Sequence, residues 1–208
     1  MYNKNNRNNL PMGSIGYVRV MHTVPDAPNV DIYANDELIA ENLTYGEYTD
    51  YLPIPQGIYM ITLYAAGSED APILSNLLMV HGNCCLTVAA MGMLNNINFI
   101  AISDADAPLL PNRAMVRFMH LSPDAPAVYI TLPDGTLLFN MVSFGQITPY
   151  TEVMPMNYTL DVKVAGTTTT VLTVPDVNLS AGKYYTIYAI GLADGSPELE
   201  ALLLEDGL

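Results

Sequence analysis

The chain has 208 residues, half of them apolar and 13% charged, which is enough to bury a sizeable core in one or two domains and excludes general disorder. Seven Lys and Arg against 21 Asp and Glu give a formal charge of −14 with the cations scattered, so no nucleic-acid partner is expected. No window reaches the roughly 18 consecutive apolar residues of a membrane span: even Ile73 to Leu86 is broken by Ser75, Asn76, His81, Gly82 and Asn83.

The first element in chain order is an Asn-rich stretch, residues 1–16, which holds Lys4 and Arg7 but no acidic residue. No apolar run follows these cations, so a secretory signal is not expected, and the stretch reads as a flexible arm. Leu10, Met12 and Ile15, with Tyr17 just beyond, are candidate anchors by which the arm adds a strand to the sheet edge of a neighbouring subunit.

After the arm, short apolar runs punctuated by turn formers predict strands, and no long segment has helical period. They fall near 17–23, 29–34, 37–41, 46–52, 58–65, 73–80, 84–91 and 97–103. A second set falls near 115–121, 127–132, 136–140, 145–150, 157–164, 168–174, 183–190 and 198–204. Pro133-Asp134-Gly135 reads as a hairpin turn, since Pro presets φ and Gly accepts the left-handed conformation; Asn35-Asp36 takes that place earlier in the chain. Each strand is expected to bury one face. The expectation is therefore all-β: two tandem Ig-like or transthyretin-like β-sandwich domains behind the arm. They are placed at 17–104 and 115–208, with a linker at 105–114 rich in turn formers.

The two halves repeat. Val18-Arg19-Val20-Met21-His22-Thr23-Val24-Pro25-Asp26-Ala27-Pro28 returns as Val116-Arg117-Phe118-Met119-His120-Leu121-Ser122-Pro123-Asp124-Ala125-Pro126, followed in the same order by Tyr45-Gly46 with Phe144-Gly145 and by Thr87 through Gly92 with Thr186 through Gly191. This doubled V-R-x-M-H-x-x-P-D-A-P motif, the Tyr/Phe-Gly pair and Ala181-Gly182-Lys183-Tyr184-Tyr185-Thr186 resemble the bacterial and archaeal family called domain of unknown function 4397. Two copies cover nearly all the chain past residue 16. The resemblance implies an extracellular or surface-associated β-sandwich module, often in tandem, with no established catalytic activity. The first copy departs from the pattern at Asn83-Cys84-Cys85, where the second has Lys183-Tyr184-Tyr185.

Alternation along a strand puts Val18, Val20 and His22 on one face and Arg19 and Met21 on the other, and likewise in the second copy around Arg117 and His120. His22 with Asp26, and His120 with Asp124, have the residue types of an acid/base dyad. The competing reading, which we prefer, has each Asp capping its own turn while the imidazole satisfies buried backbone groups. No catalytic residue is assigned. Acidic pairs at Asp104-Asp106, Glu69-Asp70 and Glu205-Asp206 lack the spacing of a calcium loop and read as solvated charge, so no metal and no cofactor is expected. Gly-x-Ser-x-Gly and phosphate-loop patterns do not occur, and His81 sits in a turn. Adjacent Cys84 and Cys85 should point to opposite faces of a strand; they read either as small buried hydrophobes or, where one thiol faces out, as an intermolecular cross-link.

The functional expectation is a non-enzymatic, surface-exposed structural protein at a cell or spore surface. It would self-associate into a fibre, coat or appendage through the arm. The alternative is an adhesin or carbohydrate- or protein-binding module, which would cluster exposed aromatics at one loop end; a hydrolytic enzyme ranks last.

Overall fold

The computed structural model describes residues 14–105, 108 and 111–208. Leu10, Met12 and most of the expected arm lie outside the described residues. The first eight strands are β1 (Ile15–His22), β2 (Val30–Ala34), β3 (Glu37–Leu43), β4 (Leu52–Pro55), β5 (Gly57–Ala65), β6 (Leu74–Val80), β7 (Cys85–Met91) and β8 (Asn98–Asp104). The second eight are β9 (Ala114–His120), β10 (Val128–Thr131), β11 (Leu137–Val142), β12 (Thr151–Val153), β13 (Met156–Val164), β14 (Thr170–Leu179), β15 (Tyr184–Ile190) and β16 (Glu200–Asp206).

Each set makes two four-stranded sheets, ordered β4-β1-β7-β8 and β3-β2-β5-β6 in the first unit, and β12-β9-β15-β16 and β11-β10-β13-β14 in the second. All ladders are antiparallel except β1 with β7 and β9 with β15. In an Ig sandwich the first strand pairs with the second. Here β1 pairs with β4 and β7, which leaves the transthyretin-like arrangement of the two expected.

Val18, Val20, Ile32, Ile61, Leu63 and Val88 fill the first sandwich, and Val116, Phe118, Ile130, Leu160, Val162 and Ile187 the second. A third cluster joins the two units: Met21, Ala89, Ile102, Met119, Leu121, Tyr188, Ile190 and Leu204. The expectation of one buried face per strand therefore fails for the central strands. From Val18 to His22 every residue of β1 is buried, as is every residue of β9 from Val116 to His120, because the outer face of each central sheet packs on the other unit.

Other boundaries shift for local reasons. Ile15 and Gly16 belong to β1, paired with Pro55 and Ile54, rather than to an arm. Ala114 opens β9 rather than closing a linker. The segment expected as a strand at 46–52 is instead a turn and a single bridge, Met21 with Tyr48, before β4 begins at Leu52; 145–150 behaves likewise, with a bridge at Met119 and Ile147. Strand β14 continues through Pro175 to Leu179, since an edge strand needs only half its N–H groups and a bulge with Asp176 at φ +58° absorbs the irregularity.

Candidate functional site

The Arg of the repeated motif points away from its own sandwich and into the seam between the units. Arg19 Nη2 donates to Asp206 Oδ1 at 2.9 Å and Arg19 Nη1 to the Glu205 carbonyl at 2.9 Å. Reciprocally, Arg117 Nη2 donates to Asp104 Oδ1 at 2.6 Å and Arg117 Nη1 to the Ser103 carbonyl at 2.9 Å. Each guanidinium also holds a threonine of its own unit, Arg19 Nε with Thr87 Oγ1 at 3.0 Å and Arg117 Nε with Thr186 Oγ1 at 2.7 Å. Thr87 in turn donates to Asp104 Oδ2 at 2.6 Å, and Thr186 donates to Asp206 Oδ2. Tyr51 and Tyr150 complete the cluster from above. Their hydroxyls donate to Asp104 Oδ2 at 2.7 Å and Asp206 Oδ2 at 2.8 Å, while their rings lie 4.7 Å from the Arg19 guanidinium and 4.3 Å from that of Arg117.

Two cations and two anions buried together demand this density of hydrogen bonds, since an unpaired charge at such a site is strongly destabilising. Burial, and then the charge of Asp206, pushes the Asp104 carboxyl above the ordinary carboxylate range, against the hydrogen bonds from Thr87 and Tyr51. Burial likewise raises the Tyr51 and Tyr150 hydroxyls. The cluster is an inter-unit clasp that holds one sandwich against the other.

Asp104 and Asp206 correct the reading of these acidic stretches as solvated charge, for both are buried. They went unrecognised because each closes a strand beside other acidic residues. The available signal was positional: Ile102-Ser103-Asp104 and Leu204-Glu205-Asp206 end corresponding strands, and Tyr51 corresponds to Tyr150.

His22 and His120 are buried, and neither is hydrogen-bonded to the aspartate of its motif. Val24 N donates to His22 Nδ1 at 3.4 Å, so Nε2 carries the proton and donates to the Pro28 carbonyl at 3.1 Å. His120 Nε2 faces the Pro126 carbonyl at the same distance. Burial lowers both imidazoles below their ordinary value. The aspartates serve other loops. Asp26 Oδ1 accepts from Leu94 N at 2.7 Å, not from its own turn, so self-capping is corrected there. Asp124 does both, accepting from Ser122 Oγ at 3.3 Å within the turn and from Ala193 N and Asp194 N at 2.8 and 3.2 Å outside it. Burial works to raise the Asp124 carboxyl, but these donors outweigh it and hold it below the carboxylate range.

Cys84 is half-buried and its thiol donates to the His81 carbonyl at 2.8 Å, whereas Cys85 lies buried at the start of β7. Ile15 is exposed and Tyr17 half-buried. Among the described residues no group of three or more His, Cys, Asp or Glu side chains converges as for a metal ion. No described helix is long and apolar enough to cross a membrane.

The outer faces of the two units differ. On the first, Ile58 lies opposite Met79 and Met60 opposite Leu77 across β5 and β6, all four exposed, at 62, 55, 41 and 60%. The corresponding rungs of the second unit carry Asn157 opposite Asn178, and Thr159 opposite the Pro175-Asp176 bulge. The exposed large apolar side chains of the second unit, Leu137, Met141, Phe144, Met154, Met156, Val171 and Leu208, are not opposite one another in any ladder.

Two tandem sandwiches closed by a reciprocal Arg–Asp clasp, with the motif repeated in each, define a double β-sandwich protein. The chain belongs to the family described as Domain of unknown function (DUF4397), which matches residues 16–131 and 132–208. Among curated proteins none matches. Among solved structures, the C-terminal domain of AlgF from P. aeruginosa is similar at 21% identity and a TM-score of 0.35, over 45% of this chain and 98% of that one. A carbohydrate-binding module of family CBM26 from Eubacterium rectale Amy13K, in complex with maltoheptaose, shows 9% identity and a TM-score of 0.28, covering 92% of this chain and 97% of that one. A protein described as a putative cell adhesion protein from Bacteroides ovatus shows 10% identity and a TM-score of 0.26, over 94% and 99%.

Proposed function

We propose that this protein is a non-enzymatic, surface-exposed structural subunit that self-associates through its N-terminal arm into a fibre or coat, of the kind that covers a cell or a spore. The observation that carries the reading is the apolar quartet Ile58, Met60, Leu77 and Met79, exposed on one unit and replaced by polar residues on the other. Contiguous exposed apolar side chains on a body of charge −14 favour contact with another protein surface. The clasp supports the same reading, because a rigid two-unit body transmits a contact made at one end to the other. Exposed aromatic side chains give little support to a carbohydrate platform: among the described residues only Tyr48 and Phe144 are exposed, one on each unit.

Sedimentation velocity and negative-stain micrographs of the full chain test this. Large species from the full chain, and monomers from a chain lacking residues 1–13 with unchanged circular dichroism, are expected. A full chain that stays monomeric at high concentration overturns the reading.

A further inference from the structure

We infer that the acceptor for the arm is the free edge of β6, where residues 10–12 of a second copy add a fifth strand to the sheet β3-β2-β5-β6. This rests on the self-association reading above and assigns the surface it uses.

Edge strands are ordinarily guarded by proline, charge or a bulge. At the far edge of the first sandwich β4 carries Pro53 and Pro55, and β3 carries Glu37, Glu41 and a left-handed Asn42. In the second unit the strand corresponding to β6 carries Pro175 and the Asp176 bulge. Strand β6, Leu74-Ser75-Asn76-Leu77-Leu78-Met79-Val80, has no charge, no proline and an unbroken ladder to β5. The Leu77 N–H is turned to its neighbour's Asn76 Oδ1 at 2.9 Å rather than to a strand. Leu77 and Met79 stand on the outer face beside that edge.

The arm has matching chemistry. In an extended segment Leu10 and Met12 share one face, so both can lie over Leu77 and Met79. Their N–H groups also point to the same side, and Pro11, which has none to offer, falls at the position whose nitrogen faces away. The added strand would then present an edge already blocked by proline. Residues 1–13 include Lys4 and Arg7 and no acid, whereas the rest of the chain has five Lys and Arg against 21 Asp and Glu, so arm and body attract.

The copy that supplies the strand is a neighbour. Ser14 O accepts from Gln56 N at 3.0 Å, and a Cβ on Gly82 would lie 1.9 Å from Ser14 Cβ, so the chain is held where it enters β1. Pairing with its own β6 would require Leu10–Met12 to reverse direction with Gly13 alone before that anchor, and a tight reversal takes two central residues. Donor and acceptor are different surfaces, so the contact is head-to-tail and propagates.

The test uses the full chain carrying Leu77→Lys and Met79→Lys, both at exposed positions, with Leu77→Thr and Met79→Thr as a milder pair should the lysines disturb folding. Either pair, folded by circular dichroism, should weaken association at least tenfold. Mixed with the chain lacking residues 1–13, the lysine variant should form a one-to-one heterodimer, since one supplies the arm and the other the edge. If the β6 variants assemble like wild type, or the mixture stays monomeric, the assignment of β6 is wrong while the self-association reading stands on the full chain's own assembly. A wild-type chain whose arm docks on its own β6 would be monomeric, which overturns both.

Discussion

Arg19 Nη2 and Asp206 Oδ1 stand 2.9 Å apart although 187 residues separate them, and with Arg117 and Asp104 they join the beginning and middle of the chain to the ends of both units. The pairing is crossed: each arginine reaches the aspartate of the other sandwich. Separating the units would break both pairs at once.

Asp206→Ala should therefore be costly. It removes the closest anion from Arg19 and the acceptor of Tyr150 and Thr186, and breaking a buried pair from one side typically costs about 3–5 kcal/mol. Urea denaturation should show this as a large drop in midpoint. In a cycle with Arg19→Met, the double variant should lose less than the sum of the two singles, by about 0.5–3 kcal/mol. Strict additivity would mean the pair contributes nothing as a pair.

Tyr188 offers the opposite sign. It is wholly buried in the seam at the position where the first unit has Ala89, and its hydroxyl has no hydrogen-bond partner among the described residues. A buried unsatisfied hydroxyl costs about 1–3 kcal/mol. Tyr188→Phe keeps the ring's packing against Met119 and Leu204 and should raise the denaturation midpoint, by about 1 kcal/mol in stability. A loss would show that the hydroxyl is bonded in solution.

Strand alternation correctly divided Val18, Val20 and His22 from Arg19 and Met21, because the pleat makes that division locally. What covered the Arg19 face was not legible in either repeat alone, since the answer was the other repeat. The same limit hid Asp104 and Asp206, whose burial depends on a partner in the other unit, Arg117 for the first and Arg19 for the second. The strand expected near 168–174 runs on past Pro175 to Leu179, because edge position is a property of the sheet and not of the segment. Leu77 and Met79 were read only as parts of a strand; the polar residues of the second unit make them conspicuous.

The aspartates of the motif should differ in weight. Asp124 accepts from two backbone amides of the loop after β15 and from Ser122, whereas Asp26 accepts from Leu94 N alone among the bonds observed. Asp124→Ala should destabilise by about 0.5–2 kcal/mol, the range for a lost side-chain cap, and Asp26→Ala by less. Hydrogen exchange at Ala193 and Asp194 should rise selectively in the first variant. Unchanged protection there would mean that the carboxylate is idle.

The two histidines set a pH dependence whose sign follows from their burial. His22 packs against Tyr45 at 6.5 Å between ring centroids and faces the Pro28 carbonyl; His120 faces the Pro126 carbonyl. Both have native values lowered from the ordinary 6.5, so below that value the unfolded chain binds protons that the native protein does not. Unfolding then takes up protons, and stability falls as pH drops from 6.5 toward the lowered native values; above 6.5 the contribution is complete. Asp104 acts in the other direction, because its raised carboxyl takes up a proton in the native state first, so the histidine effect is read by difference. Replacing His120 with Gln should reduce the loss of stability between pH 7.5 and 5.5 by roughly half of the histidine contribution, two similar sites being present. Urea midpoints at the two pH values, compared between wild type and His120→Gln, measure it. Equal pH dependence in the two proteins would show that His120 titrates alike in the native and unfolded states.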